Sequence, residues 1–547
     1  MHPHFTAIPF VLLALGLGLN LIKSDDRDPL NVLDSGSGRL TRGLGLGVLA
    51  LALGAVFMAN TWDLPAYGLT LSLLLLLQQH GAKRLNGDNW LKGWLLPSAF
   101  LFAGFILFSS PFWAFFSNPA KRGLGLAKAH TGMHDTLIFW GPFLAVMLPF
   151  LVLRVRLWGR SLAGGFSASA SPAKAKASSS ASKTQLCEEC GARLRPGKPF
   201  CAQCGHKNTL ETQRKSDASS SSFGIDSSGT PPLAASLLKL FYSPSQALKD
   251  GRVGWIAGVT AVVLLALLII APTSFLFLTL ALLAALLVAS RSEKPEALFA
   301  LALVLIASLL VVGVEWVYVR DVFEDNPSLT RMNSVFKFYF QAWILFAAAA
   351  PFALYWSFNA LNNFAGDIAS NVYRTVLGIL FFLAAIYPLG AFNAVATNFG
   401  NDAGFSPTLD GSAWLKRDYP GDYEMIGWMR SNIKGKAVIA EAVGGAYTRF
   451  ARVASYTGLA AVVGWGNHES QWRQVWPTQT EADVNRLYET MDPGEAMSLV
   501  KKYGVQYVFC GSLERGKYSP DQLNKFRVFM ETVRDNGQGT VLYKTRE

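Results

Sequence analysis

Charge is what this sequence has least of. Asp, Glu, Lys and Arg make up only 16% of its 547 residues, and 51% are hydrophobic, whereas a soluble domain carries about 25% charged residues. With a mean hydropathy of +0.28, that balance excludes a chain that is water-soluble throughout. A cleavable signal peptide is also missing. The first apolar run follows Met1-His2-Pro3-His4 with no basic n-region and no small-residue cleavage site, so it reads as a spanning helix. Cysteine is scarce: of five, four fall within eighteen residues and Cys510 stands alone. That excludes a disulfide scaffold and points to metal binding in a reducing compartment. No internal repeat is evident. The net charge of +12 would suggest nucleic acid in a soluble protein. Here much of the excess sits beside apolar segments, as the positive-inside rule expects, and no nucleic-acid partner is inferred.

What the chain does have is long apolar runs. They cover 5–22, 43–60, 65–79, 93–110, 135–153, 253–270, 273–290, 295–314, 335–357 and 373–391. Crossing roughly 30 Å of hydrocarbon takes about 20 such residues, so the fold class expected is mostly α, a polytopic bundle of about ten spans. The run 65–79 is short for a span. Ala271-Pro272 separates two runs as a helix breaker and predicts a tight helical hairpin.

Basic residues orient the bundle. Lys23, Arg27, Arg39 and Arg42 follow the first run, Lys83, Arg84 and Lys92 the third, Arg154, Arg156 and Arg160 the fifth, and Arg291 and Lys294 the seventh. Alternation puts them all on one side, the cytoplasm. The loop 111–134, with Lys121, Arg122 and Lys128, is the counter-signal. The expected setting is the plasma membrane, with lipids as partners. The expected organisation is transmembrane helices 1–5 in 1–160, a flexible linker in 161–184, a zinc ribbon in 185–210, a second linker in 211–250, helices 6–10 in 251–395 and an extracytoplasmic α/β domain in 396–547.

The ribbon rests on Cys187-Glu-Glu-Cys190-Gly and Cys201-Ala-Gln-Cys204-Gly. Two CxxC knuckles supply four thiolates, which close a tetrahedral Zn²⁺ shell and make the site structural rather than catalytic. The ribbon faces the cytoplasm in this topology, where a cytosolic protein is its expected partner. The α/β domain rests on strand-like runs at Ala437–Ala440, Ala460–Gly464, Val505–Cys510 and Thr540–Tyr543, with helical stretches at 481–491, 493–503 and 520–534.

Polar and aromatic groups gather where external loops enter the membrane. They are His2 and His4; Asn60-Thr61-Trp62-Asp63; His134-Asp135; Glu315 through Asp321; and Arg331, Asn333 and Lys337. Ionisable groups at membrane depth are functional candidates. Asp63, Asp135, Glu315 and Asp321 are the catalytic candidates, as a general base or as oxygen ligands for Mg²⁺ or Mn²⁺. Arg331 and Lys337 could hold a phosphate. The plainer reading is interfacial anchors and snorkelling charges. In the C-terminal region, Trp465, His468, Glu469, Trp472 and Arg473 could bind a sugar or pack a domain junction.

The segments HPHFTAIPF, NTWDLPAY, HDTLIFWGPF, EWVYVRDVF, RMNSVFKFYFQAW, TLDG, VGWGNHESQWR and KYGVQYVFCGSLER together resemble the YYY family of polytopic membrane proteins. That family is similar to the GT-C class of integral-membrane glycosyltransferases. The resemblance implies an active site on the external face, a polyprenyl-phosphate-linked sugar as donor and an external C-terminal domain. The family's tyrosine-rich segment would lie upstream of the HPH motif. This sequence does not contain it, so a separately encoded N-terminal half is an expected partner. The ribbon is not part of the family pattern. Two rival functions are a lipid or sugar transporter or flippase, and a non-catalytic scaffold recruiting a cytosolic partner through the ribbon.

Overall fold

The structure, a computed structural model, describes residues 3–23, 39–80, 90–115, 123–169, 237, 247–290, 293–321, 323, 326, 329–364, 366–396, 408, 410–473 and 475–546. His2, the four ribbon cysteines Cys187, Cys190, Cys201 and Cys204, and most of both linkers lie outside these residues. Internal packing divides the chain into a helical unit (1–116, 125–318 and 331–381) and a mixed unit (117–124, 319–330 and 382–547).

In chain order the helices are α1 (Pro3–Lys23), α2 (Arg39–Ala59), α3 (Leu64–His80), α4 (Trp90–Trp113), α5 (Met133–Ser169), α6 (Gly251–Ile270), α7 (Pro272–Ala289), α8 (Pro295–Trp316), α9 (Met332–Phe364) and α10 (Gly366–Ala396). Each matches an expected apolar run. Eight are long and apolar enough to cross a membrane among the described residues, not all ten. The apolar part of α2 is only Leu44–Ala59. The 17 residues of α3 span about 26 Å at 1.5 Å per residue, short of the hydrocarbon thickness. Helix α5 continues to Ser169, while its apolar spanning part is Met133–Trp158.

Helix α8 is apolar nearly all round and correspondingly central, with 67% of its spanning window buried. It packs against α7, α9, α3 and α1. Helices α6 and α10 are only 6% buried over theirs and turn large apolar side chains such as Trp255, Ile269, Phe382 and Leu389 outward. The predicted hairpin is present: Ala271 leaves helical geometry at φ −144°, ψ 73°, and Pro272 starts α7 where its missing N–H costs nothing. Close approach of α2 and α4 depends on Gly104, since a Cβ there would stand 2.8 Å from that of Ala50. Two short strands that the sequence reading did not foresee, β1 (Leu124–Leu126) and β2 (Val317–Val319), pair with each other.

The mixed unit carries a five-stranded sheet in the order β4-β3-β5-β7-β6. Its strands are β3 (Val438–Ala440), β4 (Ala460–Ala461), β5 (Tyr507–Cys510), β6 (Met530–Asp535) and β7 (Val541–Thr545). β3 pairs in parallel with β4 and β5, while β7 runs antiparallel to β5 and β6. Side chains alternate across the pleat. Val508, Cys510 and Tyr543 join one core with Leu487, Tyr488 and Phe526. Phe509 and Leu542 join the other with Leu415, Met425 and Met429. Helices therefore cover both faces: α11 (Ala413–Asp418), α12 (Pro420–Asn432) and α13 (Arg452–Thr457) on one, α15 (Thr478–Glu489) and α16 (Pro493–Lys502) on the other, with α14 (Gly466–Arg473) between α13 and α15 in the chain.

One expected helix is wrong. The stretch 520–534 is not one continuous helix: after α17 (Ser512–Lys517) come the short α18 (Pro520–Asn524) and α19 (Phe526–Phe529), then strand β6. Asn536-Gly537 turns the chain, with Gly537 and Gly539 at φ +68° and +87°. That is a hairpin signal, and pairing with β7 overrides the helical pattern.

Candidate functional site

The start of α1, the turn between α2 and α3, the segment entering α5, the end of α8 and the start of α9 belong to one end of an alternating bundle. Two buried polar clusters form there.

The first centres on Asp63, in a 3₁₀ turn at Thr61–Asp63. Its Oδ1 accepts from Asn60 Nδ2 at 2.6 Å and from Gln341 Nε2 at 2.5 Å. His4 Nδ1 lies 3.2 Å from the same oxygen and shares the amides of Asn60 and Gln341. Tyr67 Oη donates to Gln341 Oε1 at 2.5 Å. Asp63 is fully buried, yet its Oδ2 has no hydrogen-bond partner among the described residues. Such an atom in a native interior calls for an explanation. The His4 ring stacks on Phe340 at 4.9 Å. Lys337 Nζ stands 3.8 Å from the centroid of the Trp62 ring, a cation over an indole face.

The second centres on Glu315, also fully buried. It accepts from the Thr131 backbone N–H at 2.8 Å, Thr131 Oγ1 at 2.7 Å, Arg331 Nη1 at 2.8 Å and Tyr339 Oη at 2.9 Å. Arg331 also donates to Thr131 Oγ1 and to the Val314 carbonyl. His130 packs on Trp316 at 4.5 Å, with Nδ1 2.8 Å from the Glu315 carbonyl oxygen. Four donors saturate this carboxylate, so it joins the entry of α5 to the ends of α8 and α9.

The sequence candidates thus separate. His4 and Asp63 share one cluster with Trp62 and Lys337 beside it, and Glu315 and Arg331 share the other. His134 and Asp135 are exposed and pair at 3.2 Å with each other; Asp135 lies in the first turn of α5, where a carboxylate favours the helix dipole. Asp321 caps the Phe323 N–H at 2.8 Å, and Asn333 is half-buried in the first turn of α9. Among the described residues, no three His, Cys, Asp or Glu side chains gather as a metal-ligand set. Tyr67, His130, Thr131 and Gln341 were missed as site residues. Tyr67 is four residues past Asp63 and Gln341 four past Lys337, a same-face spacing that could have found them.

In the mixed unit, His468 lies on α14 within an aromatic group, 4.8 Å from Tyr447 and 5.3 Å from Trp465 between ring centroids. Glu469 pairs with Arg473 at 3.0 Å, one turn on. A separate knot is fully buried. Arg452 reaches Asp422 at 2.8 Å and Glu514 at 2.7 Å, with Glu441 at 3.9 Å. Burial pushes Glu441 up to about 7, against the N–H groups of Ala454 and Val453 and the Arg452 charge. Burial acts the same way on Glu514, but Arg452 and the N–H groups of Ala442 and Gly511 hold it below its ordinary value. Of these two glutamates around one guanidinium, Glu441 is the one whose carboxyl is shifted upward.

No curated protein and no solved structure matches the chain. The family model described as "Uncharacterized membrane protein (DUF2298)" matches residues 1–346, a stretch that contains every residue of both bundle-end clusters. With well over half of its length matched, the chain belongs to this family of integral membrane proteins.

Proposed function

We propose that the chain is a GT-C-like glycosyltransferase, or part of one, that uses a polyprenyl-phosphate-linked sugar at the external end of the bundle. The observation that carries this reading is Asp63. One oxygen is fixed by Asn60 and Gln341 while the other, buried, has no partner among the described residues. A carboxylate held by one edge presents the other to an incoming hydroxyl. The acceptor oxygen attacks the anomeric carbon, its proton passes to Asp63 Oδ2, and the bond from that carbon to the phosphate oxygen breaks as polyprenyl phosphate leaves. Lys337, on the Trp62 face, and Arg331, paired with Glu315, are the cations that would stabilise the departing phosphate. In this reading the mixed unit is extracytoplasmic, and the four ribbon cysteines hold a structural Zn²⁺ on the cytoplasmic side.

The test is turnover of a polyprenyl-phosphate sugar by purified full-length protein in nanodiscs. Asp63→Asn keeps the size and the Oδ1 contacts, and is expected to lower kcat by roughly 10²-fold or more with little change in thermal stability. Full activity in Asp63→Asn removes the assignment. Movement of the lipid-linked sugar across proteoliposomes without covalent product replaces it with a flippase.

A further inference from the structure

The mixed unit contains a cavity of about 280 Å³ that takes no part in the proposed transfer. Its wall is apolar and aromatic, from Pro520, Leu523, Val541, Tyr518 and Tyr543, and two arginines, Arg515 and Arg527, also line it. Among the described residues no acidic side chain lines it; the neighbouring Glu514 is turned to Arg452 in the buried knot. The two arginines are set differently. Arg527 is braced, with Nε donating to Tyr543 Oη at 3.4 Å and Nη2 to Asp535 at 3.3 Å. The Arg515 guanidinium makes no hydrogen bond or ion pair with another described residue. It lies over Gly539, where a Cβ would stand 2.8 Å from its Cζ, and Gly539 adopts φ +87°. The tight β6–β7 turn thus leaves the space that this guanidinium fills.

We propose that this cavity binds a phosphate monoester, with Arg515 and Arg527 on the phosphate and a small apolar or ring-shaped ester group against Tyr518, Tyr543 and Leu523. The Arg515 fork can give parallel N–H bonds to two oxygens of a dianionic phosphate, and Arg527, with Nε on Tyr543 and Nη2 on Asp535, adds its remaining N–H groups and its charge. The size lies just under the roughly 300–1,000 Å³ usual for small-molecule pockets, which suits a small ester group, and an apolar wall with a few convergent polar groups is their usual make-up. The site stands on the mixed unit's own geometry and does not rest on the glycosyltransferase reading. Its ligand is either a soluble phosphomonoester or the headgroup of a lipid monophosphate.

Calorimetry on the full-length protein in detergent tests this with phenyl phosphate, geranyl phosphate, phenol and benzoate as probes. Both phosphates are expected to bind, with phenol and benzoate at least tenfold weaker. Arg515→Gln and Arg527→Gln, both exposed positions, are each expected to weaken phosphate binding about tenfold or more. Tighter binding of geranyl phosphate than of phenyl phosphate identifies a lipid source, and the reverse a soluble one. Equal affinity of the two variants and the parent overturns the proposal, as does the absence of phosphate binding by the parent.

Discussion

Glu441 makes the mixed unit sensitive to pH. Its carboxyl titrates near 7 when folded against an ordinary 4.5, so between those values the folded chain holds a proton that the unfolded chain has released. Its contribution is complete below 4.5 and is lost as the pH climbs to about 7, with a slope of up to about 1.4 kcal/mol per pH unit. Glu514, shifted downward, acts oppositely but only in the more acid range. Thermal unfolding followed by tryptophan fluorescence is expected to show the stability of this unit falling from pH 5 to 7 on account of Glu441. In Glu441→Gln that part of the slope disappears. The residue scale is also where the sequence was least legible. Asp63 and Glu315 stood out because carboxylates are rare beside apolar runs. Thr131, Tyr339 and Gln341 are ordinary residues at helix ends, and their role follows from which chain segments meet. Glu315 and Arg331 could be read as candidates, but not as each other's partner.

Elements were far more legible, because helix length and apolar periodicity are local properties. All ten apolar runs are helices, and the Ala271-Pro272 break falls where the residues place it. Strand β6 escaped because its residues Met530-Glu531-Thr532-Val533 satisfy a helical pattern as well as a strand, and only the hairpin with β7 decides. What joins elements is less visible still. Near the end of the apolar spanning part of α5 away from His134, Arg154 forms a buried two-bond pair with Glu293, just before α8, and its guanidinium stacks 4.4 Å from the Trp356 ring of α9. Removing one partner strands a charge; removing both need not. Glu293→Ala is expected to cost about 3–5 kcal/mol, while Arg154→Met combined with Glu293→Leu costs less than Glu293→Ala alone. Thermal midpoints of the three proteins in one detergent decide this.

For the whole molecule, the family match at 1–346 covers α1 to α8 and the start of α9. The five-stranded sheet lies beyond it, so the two units carry different kinds of information about function. The loop charges predict that the mixed unit faces the outside and the residues around Cys187 the cytoplasm. In intact cells, a membrane-impermeant maleimide is expected to label Asp521→Cys, an exposed position of α18, while Cys187, Cys190, Cys201 and Cys204 react only after permeabilisation. Cys510 is buried and contributes little background. Labelling of the ribbon cysteines in sealed cells would invert the topology, and with it the side on which any transfer occurs.

The Arg154–Glu293 pair also has a bearing on biosynthesis. Its members are 139 residues apart in the chain. At 5–20 residues per second, roughly 7–28 s separate the emergence of the cation from that of its partner. Through that interval the fifth helix is in the membrane with an uncompensated guanidinium, which must reach the lipid headgroups or rest against the translocation machinery. This pair can form only after the segment before α8 has been made, so synthesis sets the earliest moment at which these two helices can be joined through it.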